Sequence, residues 1–298
     1  NNAVVGPEYP YLISQDWAPG YRACRICELI EADDHLSIED VARIQADNAP
    51  VWAEEILPTV LGLKPDDPQL QEAVELLRAW DGCATRDSPA AALFEAFRLH
   101  LIDATFSDEL GDDLLTQARP RVMNALPGLL ADATAIWFDD VRTPGREGRD
   151  DVLLSALQGA VEELSKTLGT RMEAWRWGDL HTASFENQSL GQCGIGLVES
   201  LFNRGPFPVD GSLGTVNQAD YSLSEPYAVQ TIASYRQIVD LGDLTLSVSM
   251  HTSGQSGHPF HNHYDDMIQS WRDVKHHPML WKRADVERYA AGTLVLTP

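Results

Sequence analysis

The run VLLSALQGAVEELSKTLG, residues 152–169, marks the point at which the sequence changes from a helical to a strand pattern. Its apolar residues recur every three or four positions, as on one face of an α-helix, and Gly169 ends the run. Further on, TLSVSM at residues 245–250 alternates between polar and apolar residues, which is typical of a half-buried strand. Helices that precede strands, rather than alternating with them, predict the α+β fold class.

The residues before Gly169 carry the start signals of further helices. Ser37 and Asp40 form a capping-box pattern before the first, and a proline stands at the start of two others, where its missing N–H group costs little. These helices are predicted at residues 38–56, 68–80 and 90–106. After Gly169, strands are predicted within residues 211–222, 227–241 and 243–260, followed by a helix at 283–292 and a strand at 293–297.

Composition argues against two classes of partner. The 298 residues include 45 acidic and 22 basic side chains, which gives a net charge of −23. Nucleic acids and anionic membrane surfaces are bound by clustered Lys and Arg, so neither partner is expected. No apolar run approaches the ~20 residues that cross a bilayer. The opening residues lack the basic and apolar regions of a signal peptide, so none is expected there.

The sequence lacks the short motifs of several common enzyme classes. It contains no complete G-x-S-x-G elbow, no glycine-rich phosphate or dinucleotide motif and no H-E-x-x-H zinc motif. Cys24 and Cys27 form a CxxC pair, but their helical flanks favour two helix cysteines over a zinc site. The histidine-rich stretch at residues 258–263 could bind a transition metal, so a metal site there remains an alternative. His181 is expected to be a packed core residue.

Five phrases, spread over nearly the whole chain, carry a specific resemblance. They are NNAVVGPEYPYLISQDWAPGYRACRI (1–26), LLRAWDG (76–82) followed by SPAAALFEAF (88–97), WRWGDLH (175–181), DGSLGTVN (210–217) with Tyr235 and Arg236 downstream, and SGQSGHPFHNHYDDMIQSW (253–271). In this order they resemble the C-terminal part of the β subunit of the penicillin acylase (penicillin amidase) family. These proteins are N-terminal-nucleophile hydrolases with an αββα sandwich, of which this chain would form a part. The resemblance divides the chain into an active-site strand and loop (1–18), a helical segment (19–168) and a β-rich C-terminal part (169–298).

The resemblance implies a reaction and two residues that serve it. In this family a precursor cuts itself into α and β subunits, and the serine that begins β attacks an amide carbonyl. The α-amino group of that serine acts as the base, an acyl-enzyme forms, and water then releases the acid. Asn1 matches the asparagine whose side-chain amide stabilises the oxyanion, and Arg22 matches the arginine that orients it. The alternatives are an ordinary turn asparagine and a salt-bridged arginine at a helix start.

The same resemblance implies a metal ion and a partner. Asp16 matches one ligand of a structural calcium ion that many family members bind at the subunit junction; a surface or N-cap aspartate is the alternative. Asn1 cannot be the nucleophile, because an amide nitrogen is not nucleophilic. The serine, the backbone N–H that serves as the second oxyanion donor, and the α subunit are therefore expected outside these residues. The isolated chain is expected to be inactive. The resemblance also implies a periplasmic or secreted location and no organic cofactor.

The expected substrate is a small-molecule amide that joins an acyl group to an amine, such as the side chain of a β-lactam. One alternative within the family is an acyl-homoserine-lactone or lipopeptide acylase. A second alternative is a non-catalytic scaffold protein that kept the fold, and a third is a histidine-rich metal-binding protein.

Overall fold

The computed structural model describes residues 2–15, 17–222 and 224–297, with the backbone alone at residues 112, 116, 117, 119–121 and 123. Asn1 and Asp16, to which the sequence assigns an oxyanion donor and a calcium ligand, lie outside the described residues. The chain divides into two compact units, each built from separated segments. The first comprises Asn1–Leu29, Asp47–Phe185 and Gly205–Ile232, and the second Ile30–Ala46, Glu186–Arg204 and Ala233–Pro298.

Long helices occupy the chain up to residue 168, and strands follow from residue 182. The helices are α1 (Tyr21–Glu31), α2 (Ile38–Gln45), α3 (Trp52–Leu61), α4 (Pro68–Arg78), α5 (Pro89–Ala131), α6 (Arg149–Leu168), α7 (Trp177–Leu180), α8 (Gly196–Phe202), α9 (Ile268–Arg272) and α10 (Arg283–Tyr289). The strands are β1 (Thr182–Phe185), β2 (Arg204–Pro208), β3 (Ala219–Ser222), β4 (Glu225–Ile232), β5 (Tyr235–Ile238), β6 (Val248–His251) and β7 (His277–Pro278). None of the helices in the described part of the chain has a stretch long and apolar enough to span a bilayer.

The core of the first unit lies between α5, α6 and the shorter helices α3 and α4. Helix α6 turns one apolar face towards α5, and the Trp52 ring of α3 stacks on Phe94 of α5 with centroids 4.8 Å apart. Fully burying one such side chain contributes about 1.5–3 kcal/mol, so this face accounts for the position of α6. The buried residues of α6 are Val152, Leu153, Ala156, Leu157, Ala160, Val161 and Leu164.

Local signals in the sequence set the helix ends. The side chain of Ser88 accepts a hydrogen bond from the Ala91 N–H at the start of α5, and Asp67 caps α4 in the same way. Gly169 ends α6 with a φ of 95°, which glycine adopts without a steric penalty. Gly111 has a φ of 66° within α5, so two helical stretches meet there at a kink.

Two small sheets complete the first unit. β1 pairs with β2, and β3 runs antiparallel to β4 with Asp220 opposite Thr231. Side chains alternate across β3, so that Ala219 and Tyr221 are buried while Asp220 is half-buried. Strand β3 therefore presents Tyr221 to the helical core and Asp220 to the opposite face.

The second unit contains α2, a sheet in the order β5-β6-β7, and the short helices α8, α9 and α10. Its small core includes Met250, Ile268 and Trp271. The guanidinium of Arg236 lies over the Trp271 ring at 5.3 Å, and its Nη1 donates to the Trp271 carbonyl at 2.9 Å. Arg236 thus joins β5 to α9.

Most predicted elements are present, and three differ. The helix predicted at 38–56 is two helices, α2 and α3, because Pro50 lacks an N–H group and disfavours helical geometry at the residue before it. The helix predicted to end at residue 106 continues to Ala131 across the Gly111 kink. Residues 293–297 form no strand, since no described segment pairs with them.

Candidate functional site

Arg22 lies in the first turn of α1, and its half-buried side chain points to a turn that precedes β3. Its Nη1 donates a hydrogen bond to Oε1 of Gln218. The Gln218 amide in turn donates through Nε2 to Oδ2 of Asp220 on β3, at 2.5 Å. Arg22, Gln218 and Asp220 therefore form a chain of hydrogen bonds from a cation, through an amide, to a carboxylate. We call these three residues the polar relay.

The charge of Asp220 is set by opposing effects. The pKa of its carboxyl group is raised overall, because the effect of burial exceeds the lowering effects of the hydrogen bonds from Gln218 and the Gly214 backbone and of the positive charges of Arg22 and Arg98. Burial therefore disfavours the charged form of Asp220, whereas the two cations favour it. Gln218 is the neutral group that links the Asp220 carboxyl group to Arg22.

A second set of bonds fixes the relative position of α1 and the turn that carries Gln218. Arg25, one turn after Arg22, donates to both carboxylate oxygens of Asp47, with Nη2 2.8 Å from Oδ2. The carbonyl of Asp47 accepts from the Asn217 N–H at 2.9 Å, and the Asn217 amide donates to Asn48 Oδ1 at 2.9 Å. Helix α1, residues 47–48 and residues 217–218 are therefore linked into one framework around Arg22.

A buried ionic cluster lies on the other face of β3. It consists of Glu95 and Arg98 on α5 with Tyr221 and Ser212, and the Glu95 and Arg98 side chains are 1% and 0% exposed. Glu95 Oε2 accepts from Arg98 Nη2 and from the Tyr221 hydroxyl, each at 2.8 Å, and Oε1 accepts from Ser212 Oγ at 2.7 Å. The Arg98 guanidinium lies 5.2 Å from the centroids of the Trp52 and Tyr221 rings.

This cluster holds the strand that carries the polar relay. Tyr221 follows Asp220 directly, so its hydrogen bond to Glu95 attaches β3 to α5 at that point. Burial raises the pKa of Tyr221 well above its ordinary value, so the phenol stays protonated and its O–H group donates a hydrogen bond to the Glu95 carboxylate. The Glu95 carboxylate thus accepts hydrogen bonds from three side chains, those of Arg98, Tyr221 and Ser212.

His181 is a buried core residue, as the sequence predicts. Its ring stacks on Trp177 with centroids 4.3 Å apart, and Nδ1 lies 2.8 Å from the Tyr227 carbonyl, to which it donates. Nε2 is buried without a hydrogen bond of normal geometry among the described residues, although the Ala219 backbone lies near the ring. Burial lowers the pKa of His181 to about 4, so the imidazole is neutral at pH 7.

The other candidate ligands do not come together. Within the described residues, no group of three or more His, Cys, Asp and Glu side chains is placed to hold a metal ion. In the histidine-rich stretch, exposed His263 pairs with Asp266 at 2.7 Å. Cys24 and Cys27 are exposed free thiols on α1, in agreement with two helix cysteines.

The family resemblance assigns a role to Arg22, which stays a prediction, and it does not mark the groups around that side chain. Gln218 and Asp220 follow the phrase DGSLGTVN directly, but a glutamine and an aspartate near a turn carry no specific signal. The buried cluster had a detectable signal. Glu95 and Arg98 stand three residues apart in an otherwise apolar run, AAALFEAFRLHLI, where an isolated charge would be costly and a pair is expected.

Comparison with solved structures shows which class of protein has this fold. A thermostable penicillin G acylase from Alcaligenes faecalis matches with a TM-score of 0.55 and 16% sequence identity, over 100% of this chain and 56% of that chain. The chain therefore shares the fold of that part of the acylase, and its mixed helix-and-sheet architecture confirms the predicted α+β class.

Sequence comparison gives the family. Residues 1–288 match the penicillin amidase family, and the chain belongs to it, as the five phrases predict. Acyl-homoserine lactone acylase QuiP of Pseudomonas aeruginosa is 28% identical, over 100% of this chain and 39% of that protein. Penicillin acylase 2 proenzyme of Pseudomonas sp. (strain SE83) is 28% identical, over 99% of this chain and 38% of that protein. The chain therefore spans about two fifths of the length of these relatives.

Proposed function

We propose that this chain is part of an amidohydrolase, to which it supplies an oxyanion donor, Asn1, and the arginine that positions it, Arg22. The single observation that carries the proposal is family membership over nearly the whole chain. The polar relay supports it, because Arg22 is held at a defined place in the first turn of α1 rather than extending freely into solvent.

The proposed reaction uses a serine outside these residues. The serine hydroxyl attacks the amide carbonyl while its proton passes to the serine's own α-amino group. The C–N bond then breaks, the amine leaves with that proton, and water hydrolyses the remaining ester to the acid. The Asn1 side-chain amide donates to the developing oxyanion. A neutral donor of this kind stabilises the negative charge without transferring a proton, and its loss typically costs roughly 10²–10³ in rate.

The substrate is an amide between an acyl group and an amine, and two classes are candidates. A β-lactam side chain is the first, and one relative is named a penicillin acylase. An N-acyl-homoserine lactone is the second, favoured by several relatives of that name that match 100% of this chain. Both classes present the same scissile bond, so the residues of this chain would act in the same way on each.

Three further features complete the proposal. The family resemblance supports an α subunit and the first part of the β subunit as partners, formed by self-cleavage of a precursor, in the periplasm or outside the cell. Asp16 would give one carboxylate oxygen to a structural calcium ion, a hard cation that prefers oxygen ligands. The other ligands would come from backbone oxygens and from the rest of the protein.

The test compares the complete gene product that contains these residues with the 298-residue chain alone. Each is incubated with a penicillin and with an N-acyl-homoserine lactone, and release of the free amine is measured. We expect turnover of at least one substrate by the complete product and none by the chain alone. Turnover by the isolated chain would refute the proposal that the nucleophilic serine lies outside these residues. A processed, folded product that hydrolyses neither substrate class would support the scaffold alternative.

A further inference from the structure

We propose that Gln218 is a positioning residue, which acts on the reaction through Arg22. The inference rests on the proposed function and extends it to a residue that no motif marks. Its basis is the juxtaposition of the Gln218 amide with a cation on one side and a carboxylate on the other.

The orientation of the Gln218 amide is fixed by its partners. A guanidinium has only donors and a carboxylate has only acceptors, so Oε1 must face Arg22 and Nε2 must face Asp220. A rotation of the amide by 180° would place N–H against N–H and oxygen against oxygen. Asp220 therefore holds Gln218 in the one orientation that presents an acceptor to Arg22.

The backbone on each side of Gln218 is also held. Asn217 is bound through its N–H and its side chain to residues 47–48, and Tyr221 is bound to Glu95 in the buried cluster. Gln218 thus projects from a segment that is anchored at both ends. Because the side chain is anchored as well, it can transmit that fixed position to the Arg22 guanidinium.

A residue that positions a catalytic group is expected to affect kcat more than it affects the binding of the substrate. A misplacement of about 1 Å in a catalytic arrangement can cost about 100-fold in rate. Gln218→Met keeps a side chain of similar length and removes both hydrogen bonds. We expect this variant to lower kcat by about 10- to 100-fold, while KM changes by less than about threefold.

Gln218→Glu separates positioning from simple packing. The glutamate keeps an acceptor for Arg22 but places a second carboxyl group beside Asp220. If Gln218 positions Arg22, Gln218→Glu retains more activity than Gln218→Met. If the side chain only fills space, the order is reversed, because methionine packs as well and adds no charge.

The closing experiment is a double-mutant cycle in the complete gene product, with Gln218→Met, Arg22→Ala and both changes combined. If Gln218 acts through Arg22, Gln218→Met lowers kcat in the parent protein but changes it by less than about twofold in the Arg22→Ala background. Gln230→Met is the matched control. Gln230 also donates to a carboxylate, that of Glu225 at 2.7 Å, but it is exposed on β4. The kcat of the Gln230→Met variant should therefore equal that of the parent. Thermal midpoints of all variants separate loss of rate from loss of folded protein.

The outcomes distinguish the two proposals. A parent protein that hydrolyses no amide refutes the proposed function, and the role of Gln218 with it. An active parent in which Gln218→Met and Arg22→Ala reduce kcat by independent factors refutes the role of Gln218 alone. An active parent in which Gln218→Met surpasses Gln218→Glu refutes it as well.

Discussion

Replacing Arg98 by methionine tests whether the buried ionic cluster holds the core of the first unit together. The change removes a cation whose side chain is 0% exposed and leaves the Glu95 carboxylate, 1% exposed, without its counter-charge. Breaking a buried ion pair in this way costs about 3–5 kcal/mol. Glu95 keeps the hydroxyl donors of Ser212 and Tyr221, which solvate part of its charge, so we expect a loss near the lower end of that range.

The assay is urea unfolding followed by tryptophan fluorescence, to which Trp52, beside Arg98, contributes as one of the eight tryptophans of the chain. Arg78→Met is the matched control. Arg78 pairs with Glu75 at the same three-residue spacing on α4, but the two side chains are 49% and 69% exposed. An exposed pair contributes about 0–1 kcal/mol, so the control should lose no more than that.

A double variant makes the test sharper. Glu95→Gln combined with Arg98→Met removes the uncompensated charge. The double variant should therefore lose less free energy of unfolding than the sum of the two single losses. The reasoning would be refuted if Arg98→Met lost no more free energy of unfolding than Arg78→Met, or if the two single losses simply added.

Two further predictions concern stability. Since burial lowers the folded-state pKa of His181 from 6.5 to about 4, the unfolded state takes up a proton first as the pH falls. The contribution of His181 is therefore fully present above pH 6.5, and stability falls by about 3 kcal/mol between pH 6.5 and pH 4. His181→Gln should remove this part of the pH dependence in urea unfolding, and an unchanged profile would show that folding does not lower the pKa of His181. Gly111→Ala should destabilise the protein by about 1–2 kcal/mol, because its φ of 66° disfavours any side chain. Gly128→Ala, also in α5 with open space and no positive φ, should instead stabilise by about 0.5–1 kcal/mol; equal effects in thermal melts would contradict the kink.

The sequence predicted those parts of the fold that depend on local signals. The Ser37–Asp40 capping box, the proline at the start of α5 and the stop at Gly169 are each set within a few residues, and each is found in the structure. The break between α2 and α3 was missed because the helical periodicity of residues 38–56 outweighed a single proline. The strand at 293–297 was wrong because strand propensity alone cannot supply a pairing partner.

The candidate site was predictable only in part, for a related reason. Arg22 was proposed because a motif of consecutive residues resembles that of the family, whereas its hydrogen-bond partner Gln218 is 196 residues away in the chain. A long-range hydrogen bond between an arginine and a glutamine leaves no trace in the spacing of a single sequence. The contact between Glu95 and Arg98 is easier to predict, because a charge on an apolar helix face needs a counter-charge and the two residues have helix spacing.

The central claim is that Asn1 supplies the side-chain donor to the oxyanion, and a single kinetic comparison tests it most directly. Asn1→Ala and Asn2→Ala are made in the complete gene product, and kcat is measured for each with the amide substrate that the parent hydrolyses. Asn2 is the matched control, since its amide donates to the adjacent Ala3 carbonyl at 3.0 Å. We predict that Asn1→Ala lowers kcat by about 10²–10³ while Asn2→Ala remains within about threefold of the parent. An Asn1→Ala protein that is folded, processed and as fast as the parent would contradict the account.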